Sequence, residues 1–284
     1  MRRGIIISEL NSFSLISVIG IGKLGKQISE WSAMHGYKVN IYDIIPKGLV
    51  EFVEEVSNKI RSKKSTGKIH LCNTLSNAVK EADLIIEAVP ENLELKKNVF
   101  NEIDKNAPPH AILATNSSSI PVSRLEESVG RKNKLLNIHF YQLPYYPMAD
   151  IARGTQTDDE TFIKGRKWLE SIEITPLILK KECLGFVYNR LWRAIKKECL
   201  KIWAGGFADI EDVDKAWKIV TNMNIGPFGL MDVVGLDVVY DIEMMYYNES
   251  RDLGDKPPQE LKDKIEKNEL GQKTGKGFYN WKDN

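Results

Sequence analysis

Hydrophobic positions along the chain fall into two regimes. Up to about residue 183, short apolar runs alternate with longer stretches whose apolar residues recur at helical spacing. The runs at 15–19, 38–42, 69–71, 84–89, 111–115 and 135–140 predict strands. A helix is predicted from Gly22 to about His35, stopped by Gly36. Another is predicted over 47–68, carried by Leu49, Phe52, Val53, Val56 and Ile60. Alternating strands and helices imply an α/β domain with a mainly parallel sheet covered on both faces. From Phe186 onward only helical periods occur, at 189–203, 210–220 and 233–247. The chain is therefore divided into an α/β domain, 1–183, and an all-α domain, 184–284.

Composition narrows the classes. A chain of 284 residues can bury a core without disulfide or metal staples. A net charge of +1 argues against a nucleic-acid partner, although a local basic patch stays open. Cys72, Cys183 and Cys199 form no CxxC pair and no cluster with histidine, so no metal is expected. Reduced thiols suit a cytoplasmic protein. The run Ile5, Ile6, Ile7 is too short for a secretory signal. No stretch approaches the roughly 18 apolar residues of a membrane span, so no membrane association is expected.

The first strand runs straight into Gly20-Ile21-Gly22-Lys23-Leu24-Gly25, which opens the first predicted helix. In that context the glycines have separate uses: Gly20 for a tight turn, Gly22 for close approach of a pyrophosphate, Gly25 for helix–strand packing. The helix N-terminus supplies unbonded N–H groups and partial positive charge for the anion. Asp43 ends the second strand, placed to accept hydrogen bonds from ribose hydroxyls and to repel a 2′-phosphate. These features predict a Rossmann-like domain binding NAD rather than NADP; a purely structural glycine turn is the alternative.

Several further motifs follow in order. They are Ile86-Glu87-Ala88-Val89-Pro90-Glu91, Ala114-Thr115-Asn116-Ser117-Ser118-Ser119-Ile120, His139-Phe140 and Gly185-Phe186-Val187-Tyr188-Asn189-Arg190. Gly226-Pro227-Phe228-Gly229-Leu230-Met231-Asp232 and the run from Leu270 to Tyr279 complete the set. Together they resemble the 3-hydroxyacyl-CoA dehydrogenase family, which also contains gulonate dehydrogenase and the lens protein lambda-crystallin. The resemblance implies that His139 is the general base and that Ser118 and Asn189 bind the substrate oxygen. It implies cofactor contacts from Leu24 in the glycine loop and from Glu91, Lys96, Ser118 and Lys273. Bland alternatives stand beside these: helix caps for Ser118 and Asn189, an exposed loop charge for Lys273. The resemblance further implies an active site between the domains, a homodimer formed by the helical domain, and a place in fatty acid metabolism.

The chain departs from the family pattern twice. Gln142 stands where an asparagine contacts the cofactor, one amide for another. The glutamate that orients the family histidine falls on Ala152 or Ile151, neither able to hold an imidazole. Asp150 shares a strand face with Ala152 and is the candidate replacement, provided the backbone has moved. The end of the 47–68 helix is very basic, with Lys59, Arg61, Lys63, Lys64 and Lys68; Lys59 and Lys63 are candidates for CoA phosphates, a solvated helix end being the alternative. The leading expectation is reversible NAD-dependent oxidation of an L-3-hydroxyacyl-CoA. Two others stand: a dehydrogenase of a small 3-hydroxy acid without CoA, and a non-catalytic NAD- or acyl-CoA-binding protein. The tryptophans and tyrosines of the helical domain, Trp192, Trp203, Trp217, Tyr240 and Tyr246, with Met244 and Met245, are candidates for the dimer surface or for the domain's own core.

Overall fold

The computed structural model describes residues 13–282, so the Ile5, Ile6, Ile7 run lies outside the described residues. The chain forms two compact units divided between Val187 and Tyr188. The division falls a few residues beyond the expected 183 because Phe186 packs on Ala152 and Leu179 of the first unit.

The first unit is built on one eight-stranded sheet. Its strands are β1 (Leu15–Ile19), β2 (Lys38–Tyr42), β3 (Lys68–Leu71), β4 (Leu84–Glu87), β5 (Ile112–Thr115), β6 (Leu135–Phe140), β7 (Met148–Arg153) and β8 (Thr175–Ile178). Their order is β3-β2-β1-β4-β5-β6-β7-β8. Only the β6–β7 pair is antiparallel, so β7 and β8 run against the other six. The expected mainly parallel sheet is present, with these two strands added at one end. Their sequences hide them: β7 sets Asp150 and Ala152 on one face, and β8 carries Pro176, a residue tolerated only at the margins of a sheet.

Helices cover both faces. On one, α1 (Lys23–Met34), α2 (Leu49–Ser62) and α5 (Asp159–Ser171) bury Ile28, Phe52, Val56 and Trp168 against Ile16, Val18 and Leu136. On the other, α3 (Leu75–Val79) and α4 (Leu93–Asn106) bury Val79, Phe100 and Ile103 against Ile19, Ile85 and Leu113. Side chains of Thr74, Asn92 and Asp158 accept first-turn amides and so fix where α3, α4 and α5 begin. Helix α2 stops at Ser62, short of the expected 68. Lys64 turns left-handed at φ 54°, and Gly67 lies so close to α1 that a Cβ there would sit 1.9 Å from the Ala33 carbonyl oxygen.

The second unit is helical: α6 (Tyr188–Ala204), α7 (Ile210–Thr221), α8 (Pro227–Val234), α9 (Leu236–Ser250) and α10 (Gln259–Glu266). The single helix expected over 233–247 is broken at Gly235, whose φ of 102° no helix can contain. Cys199, Leu200, Phe228, Met231 and Phe278 form the core; Trp192, Trp203 and Tyr240 pack against it, which places these three with the fold of the unit. Burial pushes the Cys199 thiol up to about 11, with Asp214 and Glu198 adding to the shift, so it is an inert core thiol. Two buried carboxylates organise the family motifs. Asp214 accepts the amides of Phe228 and Gly229 at the start of α8 and the Tyr279 hydroxyl. Asp232 accepts the amides of Phe278 and Tyr279 and the Trp281 indole N–H. Burial and the Asp214 carboxylate push the Tyr279 hydroxyl well up. The two motifs thus tie the C-terminal segment to α8.

Candidate active site

The carboxyl ends of the parallel strands carry the chemistry. At β1 the chain turns through Gly20 at φ 92°, where a Cβ would meet the Ala88 carbonyl carbon at 2.7 Å. A Cβ on Gly25 would lie 2.0 Å from the Gly20 carbonyl oxygen. Gly22 differs: a Cβ there would meet nothing within 4 Å, and no side chain caps the helix it precedes. The first-turn N–H groups of α1 therefore face open space, which fits the pyrophosphate of a dinucleotide. Leu24, half-buried in that turn, packs against the core. Asp43 accepts the Ile21 amide at 2.6 Å on one oxygen and the Ile45 amide at 2.8 Å on the other, holding the turn to the end of β2. Beside it a cleft of about 480 Å³, lined by Gly20, Asp43, Ile44, Val89, Pro90 and Leu95 among others, has the mostly apolar walls an adenine requires. These residues fit NAD.

Glu91 and Lys96 do something the sequence does not reveal. Lys96 is almost fully buried, its ammonium 2.6 Å from Glu87, 3.2 Å from the Val89 carbonyl and 3.3 Å from Glu91. Three partners exhaust its three protons. Glu87 also accepts the Thr115 hydroxyl and the Val89 amide, and burial pushes its carboxyl up. Glu91 accepts the Ser117 and Ser119 hydroxyls and the Ser118 and Ser119 amides on one oxygen. Burial alone would raise the Glu91 carboxyl, but the Ser117 hydroxyl, the Lys96 charge and the Ser119 contacts outweigh it and hold it below the usual range. The chain Glu87–Lys96–Glu91 thus clamps the loop that presents Ser118. Asn116 fastens the same loop to β6 by accepting the Phe140 amide at 2.8 Å.

His139 lies on β6 directly opposite Asp150 on β7. Its Nδ1 is 3.2 Å from Asp150 Oδ2, and that oxygen also accepts the Tyr141 hydroxyl at 2.6 Å. Asp150 Oδ1 accepts the Val187 amide at 3.3 Å. An ionised carboxylate only accepts, so the pair assigns the imidazole proton to Nδ1 and leaves the Nε2 lone pair free to take a proton. Phe186 stacks on the imidazole at 4.8 Å and 16°, and Tyr141 meets it edge-on. Histidine and aspartate are 6% and 0% exposed. The required backbone shift is a matter of register: antiparallel pairing sets 150 against 139 and 152 against 137, so the expected glutamate position faces Asn137 instead.

Gln142 is exposed, its carbonyl accepting the Tyr146 amide. In the second unit, Asn189 is in the first turn of α6, and Lys273 is in the C-terminal segment, where its ammonium reaches Asp237 at 2.5 and 2.6 Å. Lys59 and Lys63 lie near the end of α2. Lys59 pairs with Glu30 at 2.7 Å, and Lys63 ends α2 next to the loop into β3, where Lys68 is paired in register with Lys38 at the start of β2. That is the amino edge of the sheet, whereas Gly20, Asp43 and His139 occupy the carboxyl edge. The structure does not bring these lysines together with His139. Ser117, Tyr141 and Phe186 belong to the site and were not anticipated. Tyr141 shares the strand face of His139 two residues on, a readable signal; Phe186 carries none.

Comparison with known proteins closes the question of family. Residues 15–183 match the model described as 3-hydroxyacyl-CoA dehydrogenase, NAD binding domain, and residues 185–281 match 3-hydroxyacyl-CoA dehydrogenase, C-terminal domain. The chain belongs to the 3-hydroxyacyl-CoA dehydrogenase family. A probable 3-hydroxyacyl-CoA dehydrogenase of Caenorhabditis elegans is 30% identical over 94% of this chain and 95% of its own length. The solved (S)-3-hydroxybutyryl-CoA dehydrogenase PaaH1 of Ralstonia eutropha superposes with a TM-score of 0.85 at 26% identity, over 95% of this chain and 99% of that one. A solved diketoreductase acting on dicarbonyl compounds gives a TM-score of 0.81 at 33% identity, over 94% and 98%. The protein is an NAD-dependent oxidoreductase acting on CH–OH. Among the described residues no group of side chains could hold a metal, and no helix is long and apolar enough to cross a membrane.

Proposed function

We propose that this family member oxidises the C3 hydroxyl of an L-3-hydroxyacyl-CoA reversibly to the 3-oxoacyl-CoA, with His139 as general base. The observation that carries the reading is the buried His139–Asp150 pair, which supplies the oriented base that the lost glutamate had put in doubt. Bound NAD supplies the hydride acceptor. His139 Nε2 takes the hydroxyl proton as the carbon is oxidised, and Asp150 steadies the resulting imidazolium. Tyr141 keeps the carboxylate in place, and the Phe186 ring keeps water off the imidazole. Ser118, on the loop held by Glu91, donates to the reacting oxygen; Asn189 is assigned to the same oxygen on family resemblance. Glu91 and Lys96 act on the cofactor side by shaping that loop, while Gln142 and Lys273 keep their assigned cofactor contacts as part of this proposal. The helical unit forms the homodimer, and the free thiols suit the cytosol.

A second reading has a specific observation behind it. The chain resembles a diketoreductase acting on dicarbonyl compounds as well as the CoA enzymes. On this reading the substrate is a 3-hydroxy acid without CoA. One panel separates the two: acetoacetyl-CoA against acetoacetate and other free 3-oxo acids, at fixed NADH. The CoA reading predicts a kcat/KM at least tenfold higher for the thioester. Preference for the free acid overturns it, and turnover of neither overturns both.

A further inference from the structure

Beside Ser118 the first unit holds a cavity of about 10 Å³, the space taken by one water molecule. The polar side chains among its walls are Ser118, Ser119, Asn137, Glu182 and Cys183. Asn137 is 1% exposed, and its amide nitrogen donates to the Ser117 carbonyl at 3.1 Å. That bond fixes the orientation of the amide, since a carbonyl can only accept. Asn137 Oδ1 is then buried without a hydrogen-bond partner. A buried acceptor left unpaired is costly, so the site is built for a donor. Most of the walls cannot supply one. The Ser119 hydroxyl donates to Glu91, the Cys183 thiol points to the Phe186 carbonyl, and the Glu182 carboxylate can only accept. The Ser118 hydroxyl has no hydrogen-bond partner among the described residues.

We infer that Asn137 is a positioning residue for the proposed reaction: one water in this cavity donates one hydrogen to Asn137 Oδ1 and the other to Ser118 Oγ. Both hydrogens of the water are then used, so the single Ser118 hydrogen stays free for the substrate oxygen. The inference rests on the dehydrogenase reading, in which Ser118 donates to that oxygen, and adds the group that aims it. Geometry supports the bridge. In a space of one water, every wall is a contact of its occupant. The Asn137 amide is anchored on the Ser117 carbonyl, and Ser118 follows directly in the chain. One oxygen of Glu182, the competing acceptor, is already taken by the Ser123 amide at 2.9 Å. Ala152, paired with Asn137 across β6 and β7, brings no polar atom of its side chain and leaves the space to the water.

A crystal structure of the unaltered protein, at a resolution that shows ordered water, is expected to place one water at hydrogen-bond distance from both Asn137 Oδ1 and Ser118 Oγ. No water there, or one that bridges Asn137 to Glu182 instead, overturns the inference, and neither result needs a variant to fold. Kinetics test what the bridge does. Ala152→Ser leaves the Ser117 contact in place and puts a hydroxyl where the water sits. That hydroxyl has one hydrogen, which Asn137 takes, so Ser118 must turn its own hydrogen inward. The value of kcat is expected to fall about three- to tenfold, with KM and the dissociation constant of NADH within about twofold. Asn137→Leu should lower kcat at least as much. In a Ser118→Ala background both changes are expected to be silent, because the group they aim is gone, whereas a merely structural role would lower kcat there as well. A loss in Ala152→Ser of less than about threefold, or an equal loss with and without Ser118, overturns the inference. Absence of turnover with the water seen in both contacts counts against the dehydrogenase reading, not against the bridge.

Discussion

Asp150→Asn isolates the orienting role of the carboxylate. The change is nearly isosteric but replaces one of two acceptor oxygens with an NH2 group. In the native site one oxygen serves His139 and Tyr141 and the other serves the Val187 amide. If the amide nitrogen faces Val187, two donors confront each other, the one on residue 150 fully buried. If it faces His139, it donates to Nδ1 and forces the ring proton onto Nε2, the atom required as base. The first arrangement costs about 1–3 kcal/mol for an unpaired buried group, and removing the negative charge weakens the imidazolium in either. Together these should place the loss in kcat at about 10²–10⁴, the usual worth of a general base. NADH affinity should stay within about twofold, because Asp150 lies on β7, well along the sheet from Asp43 and the glycine turn at β1 and β2. Stability should fall by roughly 1–3 kcal/mol, a few degrees in melting temperature for a domain of this size. The assay is steady-state NAD reduction alongside fluorescence titration of NADH. Tyr141→Phe is the graded companion: it keeps the His139 bond, so its loss in kcat should be tenfold at most. A kcat for Asp150→Asn within threefold of the unaltered protein would refute the orienting role.

Asp43→Ala should weaken NAD binding about 10- to 100-fold and narrow its margin over NADP, since a charged acceptor of ribose hydroxyls and of the Ile21 amide is lost; tighter NADP than NAD binding in the unaltered protein would contradict the assignment. Glu91 has a carboxyl held below its reference of 4.5, so its contribution to stability is present above that pH and disappears as pH falls through the lowered value. Unfolding followed from pH 7 to 3 should show this acid loss reduced in Glu91→Gln; an identical pH dependence would show that the clamp on Ser117, Ser118 and Ser119 carries no linkage. Light scattering should report a dimer of the 32.3 kDa chain, closed by apolar side chains the second unit leaves exposed, such as Phe207, Ile219 and Val220; a monomer at working concentration would exclude it.

How legible the site was differs from part to part. The glycine turn, Asp43 and the alternation into two regimes are local patterns, each set by a few residues, and they were readable. Asp150 was readable only as a candidate, because its partnership depends on which residue of β7 faces His139, and that register depends on the whole β6–β7 connection. The buried partnership of Lys96 was not readable, because nothing local in the motif shows that Glu87 and Glu91 fold around its ammonium. The position of Lys59 and Lys63 was not readable, because a basic run says nothing about which edge of a sheet it reaches. Once α2 is known to end beside β3, the direction of the strands decides it. Phe186 and Asn137 needed the fold itself, one to bring a ring from 47 positions along the chain onto His139, the other to show an amide oxygen with nothing to accept from.

The most direct measurement is single-turnover NADH formation by His139→Ala and the unaltered protein, with the best substrate of the panel and saturating NAD. With His139 as the base, the hydride-transfer rate should fall about 10²–10⁴-fold, while the dissociation constant for NADH changes by less than about threefold. A transfer rate left within threefold of the unaltered protein would contradict the assignment of His139 and return the search for the base to the other groups around Ser118.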